Sequence, residues 1–348
     1  MKRGLHRCST AFLLLVALAA GMLAAAQSAR PVAGPEHVRG AEQTLLTYPE
    51  WFLVFSPHEY AEFTAKHRPS QFPYYGHIGQ FWESYRAVTE ETRGREMDLN
   101  PGYHMMIMVI GVSTTVEYAL RSAYERLVGR LTEVLSAQPT AEDRYAAKVA
   151  RDYVAFIRVL PWYEYDFAGK LRDLWTETGY WGEDPLRKWE RKLALSSEYG
   201  FKMLYGQLIK LGTKSAYEEP LLVTAVVTRT VPAPDPKLPE LKVLQILPDG
   251  RALITVPRYE AFMVYAQALA VKGLNFEEIA GNRSFILVSL LTRRDWTAPL
   301  DLPEVFVQPI LTRPDRERVA LMVPVNSLAK QLRQWQAAGL QVEHIFDY

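Results

Sequence analysis

One seven-residue pattern occurs twice in the chain, and this repeat limits the possible folds more than any other feature. Arg251-Ala252-Leu253-Ile254-Thr255-Val256-Pro257 matches Arg318-Val319-Ala320-Leu321-Met322-Val323-Pro324. An aliphatic, β-branched run closed by proline reads as a buried strand. Each copy continues into a helical pattern, then Gly273 or Gly339, then a strand in which Glu277 and Ile279 correspond to Glu343 and Ile345. Two strand–helix–strand units, 251–281 and 318–348, predict a duplicated βαβ, ferredoxin-like α+β domain over 217–348. Leu221 to Arg229, Phe285 to Leu291 and Val305 to Leu311 add strands, and the proline-rich stretch from Val231 to Pro239 is a stiff loop.

Residues 45–215 follow a helical period, which makes the fold class α+β with a helical N-terminal region. Thr47-Tyr48-Pro49-Glu50 and Ser56-Pro57-His58-Glu59 each fit a capping box with proline just inside a helix start. Two short helices are expected there, the second ended by Pro69. Ile78, Phe81, Trp82 and Tyr85 place a third helix at about 76–88. Asn100-Pro101 opens a long helix in which Val116, Leu120, Ala123, Leu127, Leu131 and Val134 form one apolar stripe, read as a buried core helix. Thr140 caps the next, which Pro161 stops, and Asp184-Pro185 starts the last, which ends near Gly212. The polar stretch 30–44 reads as a tether.

The N-terminus specifies an address. Lys2, Arg3 and Arg7 precede an unbroken apolar run from Ala11 to Ala26 with small residues at its exit, the pattern of a secretory signal. Cleavage after Ala26 gives a soluble exported chain. Retention gives an anchor, because the uncharged stretch from Cys8 to Ala29 approaches the length of a membrane span. The formal net charge of +1 becomes −2 without those three basic residues, and neither value suits nucleic-acid binding. Cleavage would also remove Cys8, the one cysteine, so the core alone must hold the exported protein.

Catalytic motifs are missing. No Gly-x-Ser-x-Gly, Walker loop or dinucleotide glycine motif is present, and the histidines show no i, i+3 or i, i+4 pair suited to a metal. No cofactor or metal is therefore expected. Uncharged polar groups alternate with aromatic rings from Pro69 to Trp82. On that helix His77, Gln80 and Ser84 share one face, a mixture suited to a pocket for a mostly apolar ligand or to satisfying irregular backbone. His104 and Glu117 flank the run Met105 to Val112, and burial would make them candidates for acid/base work.

Trp162, Trp175, Trp181 and Trp189 cluster beside Arg187-Lys188-Trp189-Glu190-Arg191-Lys192. Aromatic rings with cations suit the headgroup region of a membrane, and the competing reading is a solvated basic face with its rings packed inward. The interfacial reading assigns Trp181, Arg187, Lys188, Trp189, Arg191 and Lys192 to the membrane and expects salt-sensitive binding to anionic lipid.

The runs Tyr48-Pro49-Glu50-Trp51-Phe52, Pro69 to Tyr74 with Gly79-Gln80-Phe81-Trp82, Arg187 to Arg191 and Glu343 to Tyr348 resemble those of a bacterial family of uncharacterised exported or membrane-associated proteins. The resemblance covers most of the chain after residue 45. It implies a bacterial origin and carries no activity, so no residue role is taken from it.

Together these features indicate a cell-envelope protein, periplasmic or anchored in the inner membrane. Its leading reading is a non-catalytic membrane-associated module that binds an apolar ligand or an envelope partner such as lipid. The alternative is an enzyme using His77, His104 or Glu117 on a lipid-like substrate, which requires the three to converge. A C-terminal alkaline phosphatase fusion is expected to be active in cells, since that enzyme works only after export. Activity of a cytoplasmic reporter alone would contradict the assigned compartment.

Overall fold

The computed structural model describes residues 30–136, 138–212 and 222–348. The signal or anchor segment lies outside the described residues. The helical half contains α1 (Gln43–Thr64), α2 (Tyr74–Gly94), α3 (Pro101–Tyr124), α4 (Arg130–Leu135), α5 (Ala141–Ile157), α6 (Phe167–Glu177) and α7 (Pro185–Gly212). The α+β half contains β1 (Val223–Thr228), β2 (Lys242–Ile246), β3 (Ala252–Pro257), α8 (Glu260–Val271) and β4 (Phe276–Ile279). It continues with β5 (Phe285–Arg293), β6 (Glu304–Pro309), β7 (Arg316–Pro324), α9 (Val325–Ala337) and β8 (Gln341–Phe346).

The repeat does not build one ferredoxin-like sheet. It builds two antiparallel four-stranded sheets of identical plan, ordered β2-β3-β1-β4 and β6-β7-β5-β8. Each unit contributes three strands, a helix and a strand. β1 lies between β3 and β4, as β5 lies between β7 and β8, so each strand–helix–strand is split by a strand that precedes it in the chain. Each unit supplies its own central strand, so its ladders close within the unit.

Helices α8 and α9 pack between the sheets. Phe262, Leu269, Leu328 and Trp335 meet Val226, Ile254 and Val256 from one sheet and Ile286, Val288 and Leu321 from the other. The outer face of the second sheet is covered by α1 and α2, where Leu287, Ala320, Met322 and Phe346 meet Leu45, Tyr48, Phe52 and Phe81. β5 is thus buried on both faces, which explains why the run from Phe285 to Leu291 is apolar except for Ser289.

α1 is one helix, not two. Thr47 donates to the Gln43 carbonyl at 2.6 Å, and Ser56 bonds to His77 and Tyr118, so neither hydroxyl is available as a cap. Pro49 and Pro57 stay inside the helix although each removes a ladder N–H. Burial of this helix along the second sheet outweighs that loss. The Thr44 hydroxyl ties it there, donating to the Phe346 carbonyl at 2.6 Å and accepting from the Leu287 N–H at 2.9 Å. Asn100 and Thr140 do cap α3 and α5, as their positions predict.

Residues 30–44 are a docked strap, not a tether. The Glu278 carboxylate accepts from the backbone N–H groups of Val32 (2.9 Å) and Ala33 (3.1 Å), and Ala33 packs on Ala225, Val227 and Leu253. Arg39 donates its N–H to Ala280, and Asn282 donates to the Arg39 carbonyl. The strap covers the outer face of the first sheet as α1 covers that of the second.

Burial changes the meaning of the repeated Arg–Glu pair. Arg251 meets Glu277 at 3.2 Å while half exposed, whereas Arg318, its counterpart, is buried and binds Glu343 through two nitrogens at 2.5 and 2.7 Å. Glu59 from α1 adds a contact at 3.1 Å, and the guanidinium lies over the Phe55 ring. Removing one partner of a buried ionic cluster costs about 3–5 kcal/mol, against about 0–1 kcal/mol for an exposed pair. Arg318→Ala is therefore expected to lower unfolding free energy in urea several-fold more than Arg251→Ala. Equal losses would show that the second copy gains nothing from its burial.

Candidate functional site

The residues assigned to a ligand pocket do not converge. His77, Gln80 and Ser84 are buried on α2, but each is committed to structure. Ser56 Oγ lies 2.9 Å from His77 Nδ1, Gln80 donates to the Pro309 carbonyl at 2.6 Å, and Ser84 donates to the Phe81 carbonyl at 2.8 Å. Gln308 returns a bond to the Gln80 carbonyl, so this face joins α2 to β6 and encloses no ligand space. His104 bonds to the Tyr85 hydroxyl at 2.9 Å. Glu117 pairs with Lys202 at 3.0 Å and stands thirteen residues beyond His104, about 20 Å along the same helix. Only Glu117 of the five lines the large cleft described below.

Ser56, His77 and Glu59 come nearest to a catalytic constellation. His77 Nε2 is 3.7 Å from Glu59. All three side chains are sealed in the joint between α1, α2 and β7, and Ser56 sits mid-helix, where the helix ladder takes the backbone N–H groups an oxyanion would need. Burial, with help from the nearby Arg318 charge, pushes the His77 imidazole down to about 3. The group is a neutral structural histidine.

The basic aromatic segment is turned opposite to both expectations. Arg187, Lys188, Arg191 and Lys192 are only 0–3% exposed, whereas Trp181 is 90% exposed and Trp189 and Tyr180 also face out. None of the four cations can therefore meet a membrane surface. The reason is a set of carboxylates that converge from α5, from the turn after α3 and from α7 itself. Arg187 binds Asp143 at 2.7 Å and Glu190 at 3.0 Å, Arg191 binds Glu125 at 2.8 Å, and Lys188 binds Glu142 at 2.6 Å. Lys192 lies among the rings of Trp175, Tyr180 and Trp189 and reaches Glu142 at 3.5 Å. Burial works to raise the Asp143 carboxyl, but Arg187 and Arg191 outweigh it and hold the group below the usual carboxylate range.

A π-turn over Glu125–Gly129 lets α3 and α4 supply part of this cluster. Such turns concentrate at functional sites. Arg187 donates to the Gly129 carbonyl at 3.2 Å, and a side chain at Gly129 would collide with the Glu125 carboxylate. Thr132 donates to Glu190, so the turn aims Glu125, Gly129 and Thr132 inward together.

Between α1, α3, α5 and α7 lies a cleft of about 1960 Å³. Leu53, Val54, Val109, Val116, Ala146, Ala150, Leu193, Ala194 and Phe201 give it apolar walls, and Tyr60, Tyr118, Tyr153 and Tyr205 line it as well. Two ionic clusters mark its length. One holds Arg187, Arg191 and their carboxylates. The other joins Lys202 to Glu117 (3.0 Å) and Glu198 (3.1 Å), with Arg121 at 3.4 Å from Glu198. Burial works to raise the Glu198 carboxyl, yet Arg121 and Lys202 hold it down to about 2. The exposed cations Lys66, Arg68 and Arg151 also line the cleft.

The helices around this cleft are inverted. The stripe Val116, Leu120, Leu127, Leu131 and Val134, expected in the core, is exposed along α3 and α4. On α7, Leu193, Phe201, Leu204 and Leu208 are 64–69% exposed. The inward faces carry the charge instead. Sequence reasoning missed most of the cleft because its walls come from four separate helices. The alanines on α5 and α7 were the available signal, since small residues at facing positions leave room.

Comparison of the chain with family models, with curated proteins and with solved structures returns no match. Among the described residues, no group of His, Cys, Asp and Glu side chains is placed to hold a metal ion, and no helix is long and apolar enough to cross a membrane.

His77 generates a pH prediction. With a folded value near 3 and an unfolded value near 6.5, the unfolded chain takes up a proton that the folded chain refuses. The stability contributed by His77 is complete above pH ~6.5 and falls by up to about 1.4 kcal/mol per unit as pH drops toward 3. The melting-temperature advantage of wild type over His77→Asn should therefore shrink below pH ~6.5. An advantage independent of pH would mean that the imidazole titrates alike in both states.

Proposed function

We propose that this protein is a non-catalytic, membrane-associated module of the bacterial cell envelope that holds an acyl-chain amphiphile in the cleft between α1, α3, α5 and α7. The cleft carries this reading. A volume of about 1960 Å³ with mainly aliphatic and aromatic walls exceeds a small-metabolite site and suits one or more hydrocarbon chains. Exposed Lys66, Arg68 and Arg151 supply cations for an anionic headgroup. The separation of His77, His104 and Glu117 favours binding over acid/base catalysis. The identical plan of the two sheets supports a duplicated unit that serves as a scaffold, covered on one side by the strap and on the other by the helical half.

Export by the N-terminal segment and the resemblance to a bacterial exported or membrane-associated family agree with this reading. The partner is an envelope lipid. Nucleic acid is not proposed, since the charge balance is near neutral.

The test is lipid retained by the purified full-length chain, extracted and identified by mass spectrometry. Wild type is expected to keep about one acyl lipid per chain. Ala150→Trp with Ala194→Trp fills the walls from α5 and α7 and should reduce retention at least ~10-fold, a loss of about 1.4 kcal/mol in binding. Both alanines line the cleft and are only partly buried, so the melting temperature should be nearly unchanged. Equal retention by the filled variant, or none by wild type, would overturn the assignment.

A further inference from the structure

We propose that the outward face of α7, with the apolar stripe along α3 and α4, is a surface that docks into the hydrocarbon edge of a lipid bilayer. The proposal deepens the membrane association named above by assigning it to a surface. It is the reverse of the electrostatic contact that the basic segment suggested. From Leu186 to Leu208 the exposed side chains of α7 are Leu186, Trp189, Leu193, Phe201, Leu204 and Leu208, with the uncharged Ser197 and Gln207. Every charged residue in that interval is buried or half-buried, and each is ion-paired inside. α7 is 28 residues long, about 42 Å, so this uncharged face is extensive. Along α3 and α4 the exposed charges are only Glu117, Arg126 and Arg130.

Three observations favour lipid over a second copy as the occupant. The two stripes form the rims of the cleft assigned to an acyl chain, so a bilayer on them supplies that chain through the open mouth, whereas a second copy bridging the rims would seal it. Trp181 and Tyr180 stand exposed just before α7, the position of an interfacial aromatic belt. The segment before the described residues carries the apolar run Ala11 to Ala26, read above as an export signal or a membrane anchor. No described helix is long and apolar enough to cross one, so the stated geometry is helices lying in the interface with their apolar faces down.

The full-length chain is mixed with neutral phosphatidylcholine vesicles that carry a photoactivatable group on the acyl chain, and adducts are mapped by peptide. Adducts are expected in 105–134 and 186–208, changing less than about twofold between ~0.05 and ~0.5 M salt, because no exposed charge of α7 takes part. Leu186→Glu with Leu204→Glu and Leu208→Glu, none of which lines the cleft, should cut α7 adducts at least ~5-fold while those in 11–26 persist. These side chains are exposed, so an unchanged far-UV spectrum and melting temperature would exclude unfolding. Adducts confined to 11–26 would overturn the proposal. So would labelling that collapses in salt, or copy-to-copy crosslinks through α7 with a doubled mass. Both peptides also contribute to the cleft wall, so the variant separates the two sites: lost α7 adducts with lipid retention intact read the outer face alone, and lost retention with α7 adducts intact reads the cleft.

Discussion

The ion cluster inside the helical half decides which way its helices face. Arg187, Arg191 and Lys188 are held within 2.6–3.0 Å of Asp143, Glu190, Glu125 and Glu142, groups drawn from α5, α7 and the turn after α3. Desolvating so many charges is costly, and once paired they cannot be turned out one at a time without leaving a buried charge alone. Their position commits the opposite face of α7 to the outside. A large aliphatic or aromatic side chain gains roughly 1.5–3 kcal/mol when removed from water, so a row of exposed ones is tolerable chiefly where another apolar phase covers it. The cleft and the outer face are two consequences of one arrangement.

The α+β half shows how one unit can be used twice in different surroundings. Both copies pair an arginine with a glutamate on the last strand, Arg251 just before β3 in the first and Arg318 on β7 in the second. In the first copy the pair stays near solvent. In the second, α1 lies across the sheet and brings Glu59, which turns a surface pair into a buried cluster with Arg318 at its centre. Gln80, Gln308 and Thr44 complete the same joint. His77 belongs to it too, which is why a polar helix face in an aromatic segment proved to be a seam between elements.

The candidate site was only partly legible. His77, Gln80 and Ser84 do share a face, as their spacing requires, and the face is buried. Spacing cannot say whether a buried polar face meets a ligand or a neighbouring strand. The carbonyls of Pro309 and Gln80 that occupy it lie more than two hundred residues apart. His104 and Glu117 were separated by their own helix, a distance that periodicity already contained. The four cations after Pro185 were expected outside because isolated positive charge belongs in water. Their partners Glu125, Glu142 and Asp143 come from more distant segments, and nothing in the local run announces them.

By itself the sequence determined the class α+β, the caps at Asn100 and Thr140, and the existence of a repeat. These follow from local chemistry: hydrogen-bond donors at helix starts, side-chain period, and a pattern written twice. Tertiary structure decided that the repeat becomes two sheets, that α1 continues through two prolines, that residues 30–44 bind Glu278, and that α3 and α7 carry their charge inward. Those outcomes depend on which surfaces meet. An amphipathic helix has two faces, and its sequence states that they differ without stating which one faces in; the partners brought by the rest of the chain settle that.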